Sequence, residues 1–350
     1  MYKNYLVTGA TGFLGRAVIT ELIRRGQTVK ALVMKNDKSE KELPQSVIVS
    51  YGDVCDNNSL KDFFSDANSQ TCVIHCAGIV SVATRPDDKI YKVNVGGTKN
   101  VLQNCERLKV GKLVYVSSVH AIPETPKGTV ITENTALSAD KVYGDYSKSK
   151  ALATSLVFKA ANRGLNVNVV YPSGIIGPGD LGNGGITSMI RSFLSEKMRF
   201  AVKGGYDFVD VRDVASGIVS CAERGRSGTG YILSGHYASI RELLDAARIA
   251  GGVKRKVFFF PICFARLLAP LYEKRSLRKK LPIYFTPYSV KVLTANGQFS
   301  YKAAADTFGY SPRSLQSSIC DTVFWLRESA PESSPNSPTK NFRLFSLFCS

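Results

Sequence analysis

The stretch Val7-Thr8-Gly9-Ala10-Thr11-Gly12-Phe13-Leu14-Gly15 follows the short apolar run Tyr5-Leu6-Val7 and opens the helical pattern Arg16 to Arg25. Its glycines are spaced three apart. The first permits a tight turn, the second lets a pyrophosphate approach the main chain, and the third allows helix and strand to pack closely. The helix that begins there offers unpaired N–H groups and the positive end of its dipole. A glycine-rich turn lodged between a strand and a helix predicts a dinucleotide site formed by Gly9, Thr11, Gly12, Phe13, Leu14 and Gly15.

Working outward, β-rich runs recur at Thr28 to Met34, Val47 to Tyr51, Cys72 to His75, Lys112 to Val116 and Asn166 to Tyr171, at intervals long enough for helical crossovers. The alternation predicts an α/β chain with a Rossmann-type, doubly wound parallel sheet over residues 1–172. After Pro172 a loop rich in glycine precedes a helix from about Ile186 to Glu196. Further strands are expected at Phe208 to Val211 and Tyr231 to Leu233, with a helix at Val214 to Glu223 between them; residues 206–235 then return to the first domain. Ile240 to Ala250 is an amphipathic helix stopped by Gly251-Gly252. Residues 173–205 and 236–328 form a smaller, mostly C-terminal substrate-binding part. A tail rich in Pro, Ser and Asn over 329–350 reads as disordered.

The 350 residues carry 44% hydrophobic and 21% charged residues, which excludes wholesale disorder, collagen-like repeats and a disulfide-stapled miniprotein. No run of eighteen apolar residues predicts a spanning helix, and no secretory signal opens the chain. Eight cysteines without a C-x-x-C pair, and three histidines, predict reduced buried thiols in a cytoplasmic protein and no metal site. The formal charge of +18 points to anionic partners. Charge alone suggests nucleic acid, and no recognition motif supports it.

The motifs continue in order beyond the turn. Gly52-Asp53-Val54, His75-Cys76-Ala77-Gly78 and Val93-Asn94-Val95-Gly96-Gly97-Thr98 follow. Over about residues 1 to 328 the chain resembles the extended short-chain dehydrogenase/reductase family, whose members include sugar-nucleotide epimerases, dihydroflavonol reductases and 3β-hydroxysteroid dehydrogenases. The resemblance implies that Asp53 and Val54 lie at the adenine ring, that Ala77 and Gly78 flank the cofactor, and that Pro172 and Ile175 help cradle the nicotinamide carboxamide. The second strand ends Leu32-Val33-Met34-Lys35, and the first acid, Asp37, comes late. A carboxylate would repel a 2′-phosphate, whereas Lys35 or Lys38 could pair with one, which favours NADP(H) while leaving NAD(H) open.

Asp145-Tyr146-Ser147-Lys148-Ser149-Lys150 contains Y-x-x-x-K, and in a helix positions i and i+4 share a face. A nearby cation lowers a phenol's pKa of about 10 by roughly 1 to 3 units. Lys150 is therefore expected to tune Tyr146 for proton exchange with a carbinol or carbonyl oxygen. Ser118, at the end of the fifth strand, is the family's match for the group that orients this oxygen, with Ser117 as the fallback. Asn94 matches its helix asparagine, either in a proton relay or bonded to backbone. Asp210 and Arg212 read as a structural ion pair.

The reading is an NAD(P)H-dependent reductase or dehydrogenase interconverting a ketone and a secondary alcohol on a fairly hydrophobic small molecule. The alternative is a sugar-nucleotide epimerase or dehydratase with tightly bound NAD. Val257 to Tyr272 is expected to line the substrate site, its helix limited to about eight residues by Pro261 and Pro270. Basic flanks on this segment also predict weak, salt-sensitive contact with a membrane surface. A homodimer is left open.

Overall fold

Strand β1 (Asn4–Thr8) is an interior strand of a seven-stranded sheet, flanked by β2 (Thr28–Val33) and, on the other side, by β4 (Thr71–His75), the middle strand. The computed structural model describes residues 2–84, 86–182, 184–254, 256–279 and 285–329. Strand β3 (Ile48–Tyr51) closes one edge; β5 (Lys112–Val116), β6 (Val167–Pro172) and β10 (Thr229–Leu233) extend the other, giving the order β10-β6-β5-β4-β1-β2-β3 with every pair parallel. The order reverses between β1 and β4, and in such sheets the crevice beyond the strand C-termini at that point takes the ligand.

Each central strand is buried on both faces. Leu6, Leu113 and Tyr115 pack on one side with Val101, Val157 and Ala160 of α3 (Thr98–Arg107) and α4 (Asp145–Asn162). Their neighbours Tyr5, Val7 and Val114 pack on the other with Val18, Leu22, Val214 and Ile218 of α1 (Phe13–Arg24) and α6 (Val211–Arg224). A period of two in strands sheathed by helices explains why these runs read as continuously apolar. Ahead of α3, the short α2 (Asp88–Tyr91) passes through a π turn at Lys92–Gly97.

A second, three-stranded sheet places β9 (Gly205–Asp210) between β7 (Gly174–Ile176) and β11 (His236–Ser239). Helices α5 (Gly185–Leu194), α7 (Ile240–Gly251) and α11 (Leu315–Glu328) carry its core. Strands β8 (Phe200–Val202) and β12 (Phe258–Phe260) pair alone, and α8 (Ile262–Arg278), α9 (Pro287–Val292) and α10 (Lys302–Phe308) complete the chain.

Several expectations are corrected. The glycine-rich loop contains β7, whose three residues are too few to show a period. Strand β9 begins at Gly205 and joins the second sheet rather than the first. Helix α8 runs 17 residues with Pro270 inside it, not the eight expected. Pro270 is exposed, so water can serve the carbonyl one turn earlier that the missing N–H leaves unpaired. Much of the segment expected to line the substrate site is instead turned outward: Phe258 of β12 is exposed, and so are Phe264, Leu267 and Leu268, because α8 packs inward through Ala265 and Ala269. Of the cysteines, Cys72, Cys105, Cys221 and Cys320 are buried; Cys263 is exposed, and Cys55 and Cys76 are half-buried. The expected ion pair is present, Arg212 bridging Asp210 and Asp321. Apart from Ser329, the tail, with the basic residues Arg255 and Lys280, lies outside the described residues. Among the described residues no helix is long and apolar enough to cross a membrane, and no cluster could hold a metal.

Candidate active site

The glycine turn is built as its spacing requires. Gly9 has φ +66°, and a Cβ there would stand 2.6 Å from the Ala77 nitrogen. A Cβ on Gly15 would come within 2.0 Å of the Gly9 carbonyl oxygen. These two glycines let β1, α1 and the end of β4 close on one another. Gly12 differs: it is exposed, its φ of −71° suits any residue, and its Cβ would meet only the Gly9 oxygen, at 3.2 Å. It caps α1 without a side-chain hydrogen bond. An open approach to the main chain at a helix N-terminus lacking a side-chain cap fits a pyrophosphate, with Phe13 and Leu14 half-buried in the first turn.

Arg16, which sequence reasoning missed, donates to the carbonyls of Thr11 and Gly179 and so ties the turn to the segment after β7. Asp37 returns to the turn: Thr11 Oγ1 donates to its Oδ2 at 2.6 Å, and this bond holds the carboxyl below its ordinary pKa. Lys35 and Lys38 are both exposed beside it. Asp53 caps its own turn by accepting from the Cys55 N–H, and Val54 is buried against Gly97. Ala77 donates its N–H to Thr8 Oγ1. Pro172 ends β6, and Ile175 is half-buried in β7.

At the C-terminal ends of β4 and β5 the remaining predicted residues meet. Ser118 accepts the His120 N–H at 3.2 Å, and its hydroxyl lies near enough to the Tyr146 phenol to lower its pKa. Ser117 points the other way, bonding Thr154 of α4 at 2.7 Å. Lys150, buried one turn along α4, donates to the Val116 carbonyl at 2.8 Å; a Cβ on Gly78 would lie 3.2 Å from its Nζ. Burial lowers its pKa to about 8. The influences on the Tyr146 phenol are burial, which raises it, and the neighbouring Ser118 hydroxyl, which lowers it, rather than the expected Lys150 ammonium. The ammonium is occupied by Val116 instead. Asn94, in the π turn, grips Ile79 twice, donating to its carbonyl and accepting its N–H, and also donates to Ser149. Backbone bonding therefore engages both ends of its amide.

Sequence reasoning also missed an aromatic wall. The His120 ring stacks on Tyr206 at 5.6 Å, with Nε2 2.9 Å from the Tyr206 hydroxyl. It lies 6.0 Å from both Tyr146 and Tyr288. Burial lowers its pKa to about 4, so the wall is uncharged at neutral pH. The four rings come from segments between which no local pattern runs.

His75 is wholly buried at the end of β4, its two nitrogens bonded to Thr8 and Thr98. Burial depresses its pKa to about 3. Its contribution to stability is thus complete above the unfolded value of about 6.5 and is lost as pH falls toward 3. Between those limits it should add about 1.4 kcal/mol of destabilisation per pH unit. Thermal melting from pH 7 to pH 4 should show this slope, and His75→Gln should flatten it; an unchanged slope in the variant would assign the proton uptake elsewhere.

The model of the NAD dependent epimerase/dehydratase family matches residues 5–234. Sterol demethylase protein B of Methylococcus capsulatus is 29% identical, covering 92% of this chain and 98% of that protein. Human 3 beta-hydroxysteroid dehydrogenase type 7 is 31% identical, with 92% and 95% covered. The crystal structure of gox2253 superposes with a TM-score of 0.81 at 28% identity, covering 93% of this chain and 98% of that one.

Proposed function

The chain belongs to the NAD dependent epimerase/dehydratase family, a family of NAD(P)-dependent enzymes, and from this premise we propose an NADP(H)-dependent oxidoreductase interconverting a ketone and a secondary alcohol on a fairly hydrophobic substrate. The observation that carries the proposal is the placing of Ser118 beside the Tyr146 phenol, with Lys150 one helical turn along α4, next to Gly78. When bound, the nicotinamide supplies or receives the hydride. Tyr146 gives its proton to the carbonyl oxygen in reduction and takes it back in oxidation. Ser118 donates to the same oxygen and orients it. Lys150 spends one of its three donors on Val116 and has two left to hold the nicotinamide ribose. Asn94 is a positioning residue, fixing the Ile79 backbone next to Gly78. In this division of labour residues 1–172, with α6 and β10 returning to the first sheet, hold the cofactor, and residues 173–205 and 236–328, with β9, hold the substrate.

The preference for a hydrophobic substrate rests on the uncharged rings of His120, Tyr206 and Tyr288 beside Tyr146. The sugar-nucleotide alternative calls for cations to meet a diphosphate, whereas Lys274, Arg275 and Arg278 of α8 are exposed beside outward-facing leucines. The test is nicotinamide absorbance with both cofactors across ketosteroids, flavonoid-like ketones, aliphatic ketones and UDP-sugars. Net NADPH oxidation by a lipophilic ketone supports the proposal; turnover confined to UDP-sugars overturns it.

The choice of NADP(H) over NAD(H) is supported by exposed Lys35 and Lys38, and by an Asp37 carboxylate already engaged by Thr11 and the Ser39 N–H. Fluorescence titration should give tighter binding of NADPH than NADH, and Lys35→Glu should level or reverse the order. Equal affinities in the unmodified protein would contradict this assignment.

A further inference from the structure

Helix α8 is packed the wrong way round for an ordinary surface helix. A helix on a soluble domain buries its large apolar residues and shows its polar ones. Here the inward face is Ala265, Ala269, Glu273 and Ser276, all buried, while Phe264, Leu267, Leu268 and Leu271 are exposed, Leu267 by 69%. At 100° per residue these four, with Arg275 and Arg278, fall on a single face. That face is therefore apolar over its first turns and cationic over its last. Just upstream, Phe258 is 70% exposed and rests against Phe200. Beside Leu271 an open cleft of about 400 Å³ is rimmed by Lys274, Arg275, Arg278 and Lys279. The only acid of α8, Glu273, is turned away, accepting from the Thr84 N–H at 2.7 Å and from its hydroxyl at 2.6 Å.

We propose that this face docks on the surface of an anionic lipid bilayer, its phenylalanine and leucines entering the acyl boundary and its cations meeting lipid phosphates. Charge decides between the candidate occupants. A second copy would bring cations against cations on a chain of formal charge +18, whereas an anionic surface attracts them. Helix α8 is too short and too charged to span, so it lies in the interface. Glu273, on the inward face, fastens the helix to Thr84, in the segment that leaves β4 beyond Gly78, and so ties the docking helix to the chain segment that reaches the candidate active site. The value of this for catalysis, access to a ketone dissolved in lipid, rests on the proposed function; the docking itself does not.

Co-sedimentation of the full chain tests it, with vesicles of phosphatidylcholine alone and of phosphatidylcholine and phosphatidylglycerol in roughly equal parts. Binding is expected to the anionic vesicles at low salt and to fall at high salt. Leu267→Asp with Leu271→Asp, and separately Arg275→Glu with Arg278→Glu, should each lower partitioning by about tenfold or more while melting temperature and cofactor binding stay unchanged. Absence of binding to anionic vesicles at low salt overturns the proposal, as does binding that both variants retain. Light scattering that finds a dimer dissolved by the leucine pair would assign the face to a second copy and also overturn it. None of these readings depends on turnover, so a failed docking and a failed assignment of the reaction remain distinct.

Discussion

Tyr146→Phe is expected to lower kcat by about a hundred- to ten-thousand-fold, the usual worth of a positioned general acid–base group. Only the phenolic oxygen is removed. The ring keeps its place beside His120, and NADPH affinity should stay within about twofold because the change is remote from the glycine turn. Lys150→Ala should reduce both kcat and cofactor affinity, since it removes a buried ammonium that neighbours Gly78 and supports Val116. Steady-state kinetics with cofactor titration separates the two variants. Near-normal kcat in Tyr146→Phe on a substrate that the unmodified protein turns over would remove Tyr146 from the mechanism.

The second large effect is expected at Gly12. Gly12→Val places a branched side chain at an exposed position where its Cβ would meet only the Gly9 carbonyl oxygen, at 3.2 Å, on a backbone that tolerates it. The fold should survive, with a melting temperature within a few degrees of the parent, while NADPH affinity falls by about a hundredfold, or about 2.7 kcal/mol. Gly15→Ala should behave in the opposite way. Its Cβ would collide with the Gly9 carbonyl, so it should cost at least about 1–3 kcal/mol of stability before any cofactor is added. Melting curves paired with fluorescence titrations check both. Parental NADPH affinity in Gly12→Val would mean that the pyrophosphate does not approach the main chain there.

These two sites were legible for a reason that does not extend to the whole molecule. The glycine turn and Y-x-x-x-K are local patterns in which spacing alone fixes direction, and the first six strands announce themselves by length and apolarity. The short strands β7 and β11 have too few residues to carry a period. The π turn around Asn94 looks like any helix in sequence. Pro270 breaks helices on average, yet an exposed position relieves part of its cost. The orientation of α8 was unreadable because alanines at two positions decide which side packs, and the larger residues then face out. His120, Tyr206 and Tyr288 meet only through tertiary structure. The electrostatics misled for the same reason: helical spacing brings Lys150 and Tyr146 to one face, but the carbonyl of Val116, from another element, claims the ammonium.

The central claim is net hydride transfer between cofactor and a substrate carbonyl, assisted by Tyr146. The most direct measurement uses NADPH carrying deuterium at the transferable position of the nicotinamide ring, with mass spectrometry of the product. The account predicts one deuterium on the carbinol carbon of a lipophilic alcohol, formed in step with cofactor oxidation. An inverted sugar-nucleotide centre, with the cofactor unconsumed at completion and its label not delivered to a released alcohol, would contradict it.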